Sequence, residues 1–149
     1  MIAVIQRVSQ AAITIDGEEI ARIEKGVVVL LGVMVDDTQD DANYLANKIL
    51  NFRIFNDADD KMNLAINDVG GEILVISQFT LCADWLKGRR PSFIKAAPPE
   101  DGEKLYQQFV ANLKDGGIGV KTGQFGAMMD VALINNGPVT FVLDSALKR

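Results

Sequence analysis

Apolar residues fall along this chain in runs of two kinds, and the two kinds predict different secondary structure. Strands are predicted for the runs IAVIQRV and AAITID near the N-terminus, with a turn at Asp16-Gly17 closing the second run. The unbroken apolar run 26–35 predicts a strand that is covered on both faces. Further strands are predicted at the runs RIF, MNLAI, 72–81, MMDVALI and VTFVLDS.

Helical spacing of apolar residues occurs in two longer stretches. In residues 36–52, apolar side chains recur every three or four positions, and Asp37 or Thr38 is placed to cap the first turn. Residues 99–114 show the same spacing behind an early proline, Pro99, which suits the first turn of a helix. The chain therefore predicts two main helices.

The order of these elements predicts an α+β fold. Several strands are neighbours in sequence and can pair as hairpins, and the helices are interspersed among them. We expect a single layered domain over residues 1–149, with a curled, mostly antiparallel or mixed β-sheet and two main helices.

The composition narrows the chemistry of any active site. Histidine is absent, which excludes Ser-His-Asp and Cys-His nucleophile systems, a histidine general base and a histidine-bound zinc ion. The single cysteine, Cys82, excludes an intrachain disulfide and a CxxC metal or redox site. The acidic turn 56–61 lacks the glycine and the glutamate of an EF-hand loop, and the glycines form neither a GxGxxG fingerprint nor a P-loop. We expect no cofactor and no metal.

Charge and hydropathy bear on partners and location. The net charge is −5, whereas a general nucleic-acid binder is usually basic, so any contact with RNA must come from a local patch and no DNA partner is expected. No apolar stretch reaches the ~18 residues of a membrane span, and the N-terminus lacks the order of a signal peptide. We expect a cytoplasmic protein with no membrane partner.

The run VISQFTL is the first candidate site. Ser77, Gln78 and Thr80 place polar side chains where a buried strand ends, and strand ends that open into long loops commonly carry functional sites. The alternative interpretation is that these side chains satisfy backbone groups left without partners at the end of the strand.

The segment DWLKGRRPSFIK is the second candidate. Its four cations lie within nine residues with no acidic residue between them, and Trp85 and Phe93 accompany them. Cationic and aromatic side chains together suit a phosphate backbone and stacked bases. The alternative is a solvated loop whose cations offset the acidic surface. The four cations are Lys87, Arg89, Arg90 and Lys95.

The run NNGPVTF at 135–141 is the third candidate. Asn136-Gly137 predicts a tight turn between the two final strands, yet Pro138 follows at once and has no N–H to donate to a strand ladder. The X-Pro bond carries a cis penalty of only roughly 0.5–1 kcal/mol. Two structures stay open: a cis Gly-Pro tip whose carbonyls lack ladder partners, or a plain edge hairpin with a trans proline.

Two separated motifs carry a family resemblance. SQFTL at 77–81 and NGPVTF at 136–141 resemble the motifs of the D-aminoacyl-tRNA deacylases, the DTD-type enzymes. The likeness continues through MIAVIQRV, FRIFNDADDKMNL, GRRPSF and TGQFGAMMDVALINNGPVT, and so covers nearly the whole chain. Three positions depart from the family pattern: Gln124 stands where an arginine is expected, Asn136 stands where aspartate is frequent, and Trp85 is unusual in its loop.

The resemblance implies a function and a set of site residues. Such enzymes hydrolyse the ester between a D-amino acid, or glycine, and the 3′-terminal adenosine of tRNA, and they reject L-amino acids. They are homodimers with sites at the interface, where a cis Gly137-Pro138 motif, held with help from Arg7, enters the partner's site. The implied lining residues of the ester site are Ser77, Gln78, Phe79 and Thr80, with Phe125 and Met129 at pocket positions.

The residues themselves leave the mechanism and two other functions open. An aminoacyl ester is already activated, and the ribose 2′-OH can position or activate water, so orientation and oxyanion stabilisation can suffice without histidine. The competing mechanism makes Thr80 a nucleophile, which needs an adjacent base. The other functions are a non-catalytic RNA- or protein-binding module on the same fold and a small-ester hydrolase that uses Thr80.

Overall fold

The computed structural model describes residues 1–148 and contains eight strands and two α-helices within them. In chain order, these elements are β1 (Ile2–Ile15), β2 (Glu18–Ile23), β3 (Gly26–Gly32), α1 (Gln39–Asn51), β4 (Phe55–Asn56), β5 (Met62–Leu64), β6 (Glu72–Ser77), α2 (Pro99–Asp115), β7 (Gly119–Thr122) and β8 (Asp130–Asp144). None of these helices has the length and apolar composition needed to cross a bilayer.

A mixed six-stranded sheet is organised around β1. This strand pairs antiparallel with β3 and β2 along one edge and with β8 along the other. The sheet continues from β3 through β6 to β7 with parallel pairing, and β4 and β5 form a separate two-stranded ribbon. The expected α+β fold, a curled mixed sheet with two helices, is confirmed.

The two strands predicted at the N-terminus are one strand. The runs IAVIQRV and AAITID both belong to β1, and a bulge at Ser9 joins them. Val8 and Gln10 pair with the consecutive residues Asn135 and Ile134 of β8, so β1 carries one extra residue at this point. The bulge breaks the alternation of apolar and polar residues, and for that reason the sequence indicated two separate strands.

The extra residue also changes which side chains of β1 face each side of the sheet. Before the bulge, Ala3 and Ile5 belong to the core that the helices cover. Beyond the bulge, Ala11 and Ile13 belong to a second core on the other face, together with Val8. A shift of one residue along a strand exchanges its two faces, so a single bulge is sufficient for this change.

Strand β3 is buried on both faces, as its continuous apolar run predicted. Val27 and Val29 pack in the core under the helices, whereas Val28 packs in the second core. The strand ends at Gly32, earlier than the predicted residue 35. Its neighbour β6 alternates in the same way, which places the end of β6 between the two cores.

The helices begin at the residues that suit their first turns. Thr38 is the cap of α1, and its backbone N–H and hydroxyl both donate to Asp41 Oδ2, at 2.8 and 3.0 Å. Asp37, the other candidate, instead accepts a hydrogen bond from the backbone N–H of Met34 at 2.6 Å. Helix α2 begins at Pro99, where a missing N–H costs nothing.

The predicted hairpin at Asn136-Gly137 is wrong. Strand β8 continues through this point along the edge of the sheet, and residues 136–139 bulge out of its pairing with β1. Gln6 pairs with Thr140, and Val8 pairs with Asn135, so Arg7 alone stands opposite this four-residue segment. The Gly137-Pro138 bond is cis, and Gly137 has φ +131°, a value that glycine adopts readily.

Candidate active site

A cavity of about 800 Å³ opens at the end of β6. Its walls come from the strand end, from a 3₁₀ turn at Phe79–Cys82, from the segment that leads into α2, and from residues 125–131. The six residues that the resemblance implied for the ester site and its pocket all line this cavity: Ser77, Gln78, Phe79, Thr80, Phe125 and Met129.

The chain turns sharply where the cavity begins. The strand predicted to reach residue 81 ends at Ser77, and Phe79–Cys82 forms the 3₁₀ turn instead. The backbone N–H of Gln78 still donates to Leu31 O at 2.8 Å, which fixes the start of the turn against β3. The turn then brings the side chain of Gln78 onto Thr80, where Nε2 donates to Oγ1 at 2.5 Å.

This hydrogen bond defines what the hydroxyl of Thr80 can do. Because Oγ1 accepts from the amide of Gln78, its own proton remains available for donation to a bound molecule. The backbone N–H groups of Phe79 and Thr80 begin the 3₁₀ turn, and no acceptor among residues 1–148 takes them. The turn thus presents several donors at the cavity wall.

Among residues 1–148, no ionisable side chain lines the cavity. The polar members are Ser77, Gln78 and Thr80, and the others are apolar or glycine. Burial raises the pKa of the nearby Cys82 thiol, which donates to Val33 O at 3.4 Å. The cavity therefore offers hydrogen bonds and apolar contact without a charged group of its own.

Aromatic contacts hold two walls of the cavity in place. Phe79 packs edge-on against Phe93 with ring centroids 4.9 Å apart, and Phe125 packs against Tyr106 at 5.7 Å. Burial raises the pKa of Tyr106 to about 12, and its hydroxyl donates to Val75 O at 3.1 Å. Tyr106 is therefore a neutral support beneath Phe125.

Several lining residues carried no signal in the sequence. Phe93 was considered only as part of the cationic segment and Pro99 only as the start of a helix, and Pro98 was not singled out. Met128 and Val131 were assigned to a strand. These residues reach the cavity through the fold, because the segment before α2 and the segment before β8 meet at the end of β6.

Arg7 and the Gly137-Pro138 motif lie elsewhere. Arg7 is only 8% exposed, and its guanidinium donates to Asn136 O at 3.1 Å, to Ile54 O at 2.8 Å and to Asn56 Oδ1 at 3.2 Å. The side chain therefore ties the bulged segment 136–139 to the chain just before and within β4. Gly137 and Pro138 themselves are exposed.

The motif is remote from the cavity of its own chain. Gly137 and Pro138 do not line the cavity, and a smaller pocket of about 340 Å³ beside Arg7 and Asn136 shares no residue with it. Six positions of strand separate Val131, at the cavity, from Gly137, which corresponds to roughly 20 Å of extended chain. The structure therefore brings together the residues of the SQFTL motif but not the two motifs.

The cationic segment forms a hairpin beside the cavity. The backbone groups of Asp84 and Ser92 bond to each other in both directions, at 2.8 and 2.9 Å, and residues 85–91 form the exposed tip. The Nζ atom of Lys95 lies 3.6 Å from Oδ2 of Asp84, so the carboxylate compensates part of the charge of Lys95. Within residues 1–148, the remaining three cations form no ion pair: Lys87, Arg89 and Arg90.

Metal-binding geometry is absent from the described part of the chain. Residues 1–148 contain no group of three or more histidine, cysteine, aspartate or glutamate side chains that could hold an ion. The cavity at the end of β6 offers apolar surface and neutral hydrogen-bonding groups.

Comparison with known proteins identifies the family. The model of the D-Tyr-tRNA(Tyr) deacylase family matches residues 4–144, so the chain belongs to that family. A D-aminoacyl-tRNA deacylase of Thermodesulfovibrio yellowstonii is 53% identical over 145 residues, which are 97% of this chain and 99% of that protein. A D-aminoacyl-tRNA deacylase of Syntrophobacter fumaroxidans is 57% identical over 145 residues, covering 97% of each protein.

Solved structures show the same fold. The structure titled "c-Myc DNA Unwinding Element Binding Protein" matches with a TM-score of 0.90 at 42% identity, over 97% of this chain and 98% of that one. The structure of a probable eukaryotic D-amino acid tRNA deacylase matches with a TM-score of 0.84 at 17% identity, over 95% of this chain and 97% of that one. The latter likeness shows the fold alone.

Proposed function

We propose that this protein is a D-aminoacyl-tRNA deacylase, which hydrolyses the ester linking a D-amino acid, or glycine, to the 3′-terminal adenosine of tRNA. The observation that carries the proposal is the cavity at the end of β6, lined by residues 77–80 of the SQFTL motif in a chain of the deacylase family. An aminoacyl-tRNA is the partner, no cofactor takes part, and the enzyme works in the cytoplasm.

The uncharged cavity suits hydrolysis of an ester that is already activated. Without an ionisable side chain, the protein contributes orientation of the ester and stabilisation of the developing oxyanion. The backbone N–H groups of Phe79 and Thr80 are the donors for that oxyanion. The ribose 2′-OH, which neighbours the ester, positions or activates the attacking water, and the products are the free amino acid and the 3′-OH of tRNA.

Thr80 positions the substrate in this mechanism and does not attack it. Its oxygen accepts a hydrogen bond from Gln78, and no ionisable side chain lines the cavity to remove its proton. Ser77 and Gln78 complete the polar wall, while Phe125 and Met129 supply apolar contact to the adenosine or the amino acid.

Chirality is read by the Gly137-Pro138 motif of a second subunit. The motif is exposed and about 20 Å along β8 from its own cavity, so in a homodimer it is free to enter the cavity of the other chain. Backbone atoms pressed against the α-carbon of the substrate would exclude an L side chain and admit a D side chain or glycine. Arg7 holds this motif through Asn136 O.

Deacylation of charged tRNA tests the function. The protein should release the amino acid from tRNA charged with a D-amino acid and leave the matched L-aminoacyl-tRNA intact, measured as loss of acid-precipitable label with time. Binding of tRNA without turnover would instead support the non-catalytic binding module. Equal turnover of a small ester without any tRNA would support the simple esterase.

A stable homodimer is the first structural prediction of this proposal. Strand β8 is an edge strand of 15 residues, and its exposed side chains include Ile134 and Val142, which are 52% and 69% exposed. Long apolar edge strands are normally covered. Sedimentation at low micromolar concentration should therefore give a dimer. A clean monomer with full deacylase activity would refute the shared-site arrangement.

The cationic hairpin should contribute to tRNA affinity. Changing both Arg89 and Arg90 to alanine should weaken tRNA binding and flatten its salt dependence, by roughly one unit of slope for each phosphate that the variant no longer neutralises. Filter binding between low and moderate salt measures both quantities. The matched control is Arg22→Ala on β2, whose guanidinium is paired with Glu19 at 2.7 Å. If the salt dependence of tRNA binding is unchanged in the double variant, the hairpin is a solvated loop that does not contact the tRNA.

A further inference from the structure

We infer that Trp85 is a stacking platform for an unpaired base at the 3′ end of the RNA substrate. This inference rests on the proposed function, because that function places an RNA end at the cavity. It assigns a role to a residue that does not line the cavity. Trp85 is 74% exposed at the start of the hairpin tip, so its indole is open to a binding partner.

The hairpin places Trp85 near a residue that lines the cavity. Trp85 follows Asp84, and Asp84 pairs with Ser92. Phe93, the next residue, lines the cavity and packs against Phe79 with ring centroids 4.9 Å apart. Two Cα steps of about 3.8 Å and one strand pairing of about 5.5 Å therefore place the Cα of Trp85 within roughly 13 Å of the Cα of Phe93.

The cationic side chains near Trp85 favour a nucleic acid as the partner that its indole binds. Residues 85–95 contain no acidic side chain, in a chain with a net charge of −5, so the hairpin is a local cationic region on an acidic protein. Lys87, Arg89 and Arg90 are exposed and form no ion pair within residues 1–148. An exposed aromatic ring next to such cations is the combination that binds a single strand, with cations on phosphates and the ring on a base.

Geometry further selects an unpaired base. Bases within a duplex are covered on both faces by their neighbours, so an indole can stack only on a base that is splayed out or at an end. A substrate whose terminal adenosine enters the cavity must lead its preceding unpaired nucleotides past the cavity mouth. Trp85 lies one residue beyond the base of the hairpin, and its Cα is within roughly 13 Å of the Cα of Phe93 in the cavity wall, so a base in that strand could reach it.

Tryptophan fluorescence tests the contact directly, because Trp85 is the only tryptophan of the chain. The probes are two RNA hairpins that share the same stem and carry no amino acid. The first ends in an unpaired 3′ overhang, and the second has a blunt end. The overhang hairpin should quench the emission in a saturable manner, and the blunt hairpin should not. No quenching by the overhang hairpin, or equal quenching by both hairpins, would overturn the inference.

Kinetics separate this inference from the proposed function. Trp85→Ala should raise the KM for D-aminoacyl-tRNA by roughly 5- to 100-fold, the range expected when one base no longer stacks, with little change in kcat. Trp85→Phe should recover part of this loss. Leu86→Ala, at a neighbour that is 76% exposed, is the matched control and should keep the wild-type KM.

A minimal substrate completes the test. The ratio of kcat/KM for D-aminoacyl-tRNA to kcat/KM for D-aminoacyl-adenosine should fall in Trp85→Ala, because the small substrate has no preceding base. An unchanged ratio would overturn the role of Trp85. If the wild-type protein hydrolyses neither substrate, the proposed function fails, while the fluorescence result still decides whether the indole stacks on an unpaired base.

Discussion

Deacylation of D-aminoacyl-tRNA should fall by roughly 10²- to 10³-fold when the terminal adenosine lacks its 2′-OH, within the range of general acid-base catalysis. The reason is that no ionisable side chain of the described residues lines the cavity, so in the proposed mechanism the ribose hydroxyl is the group that positions or activates water. The measurement is the single-turnover rate with enzyme in excess, which reports the chemical step.

The control for this prediction is a tRNA with its deoxy position one nucleotide earlier, which should react at the unmodified rate. The protein arm of the experiment is Thr80→Ala. This variant should retain measurable turnover, because in the proposed mechanism Thr80 donates a hydrogen bond and forms no covalent bond with the substrate. Thr80→Ser should react faster than Thr80→Ala, since it keeps the hydroxyl. A trapped acyl-Thr80 species, seen by mass spectrometry of the quenched reaction, would reverse the assignment.

Replacing Arg7 by leucine should lower the free energy of unfolding by about 3 kcal/mol. The guanidinium is buried and donates to three acceptors, of which Asn136 O and Ile54 O are backbone carbonyls. Each buried polar group left without a partner costs about 1–3 kcal/mol. Urea denaturation followed by circular dichroism measures the loss. Arg7→Lys should recover only part of it, because a single ammonium cannot span the same acceptors.

The same substitution should damage selection between D- and L-substrates. Without its hydrogen bond to Arg7, the segment 136–139 is no longer held at one position, which should weaken the contacts that we propose exclude an L side chain. The ratio of D- to L-deacylation, assayed at a temperature where the variant is folded, should fall. The matched control is Arg22→Leu, at an exposed arginine, which should change neither the unfolding midpoint nor this ratio. A folded Arg7→Leu variant with the wild-type ratio would contradict the role of Arg7.

The sequence predicted the fold most reliably where one period held over a whole element. The apolar run of β3 and the spacing of α1 and α2 each corresponded to one element in the structure. The prediction was wrong where irregular geometry interrupts a regular element. The bulge at Ser9 divided β1 into two apparent strands, and Asn136-Gly137 gave a turn signal inside the continuous strand β8.

The candidate site was predictable only in part, for a related reason. Ser77, Gln78 and Thr80 stand together in sequence, and the structure keeps them together at the cavity. Met128 and Pro98 lie far along the chain from them and lack any local pattern, so only the packing of the folded chain shows that they share the same wall. Local spacing records local neighbours, whereas a cavity is formed by long-range contacts.

The bulge at Ser9 sets the phase in which the side chains of β1 alternate between the two cores. Successive side chains of β1 face one core and then the other, and one extra residue reverses this alternation for every residue that follows it. Upstream of that residue, Arg7 serves the segment 136–139; downstream, Ile13 serves the second interior. Deleting one residue here would therefore exchange the side chains that face the two cores over the remainder of β1. An exposed loop that lost a residue would only become shorter, whereas β1 would pack different side chains in each core.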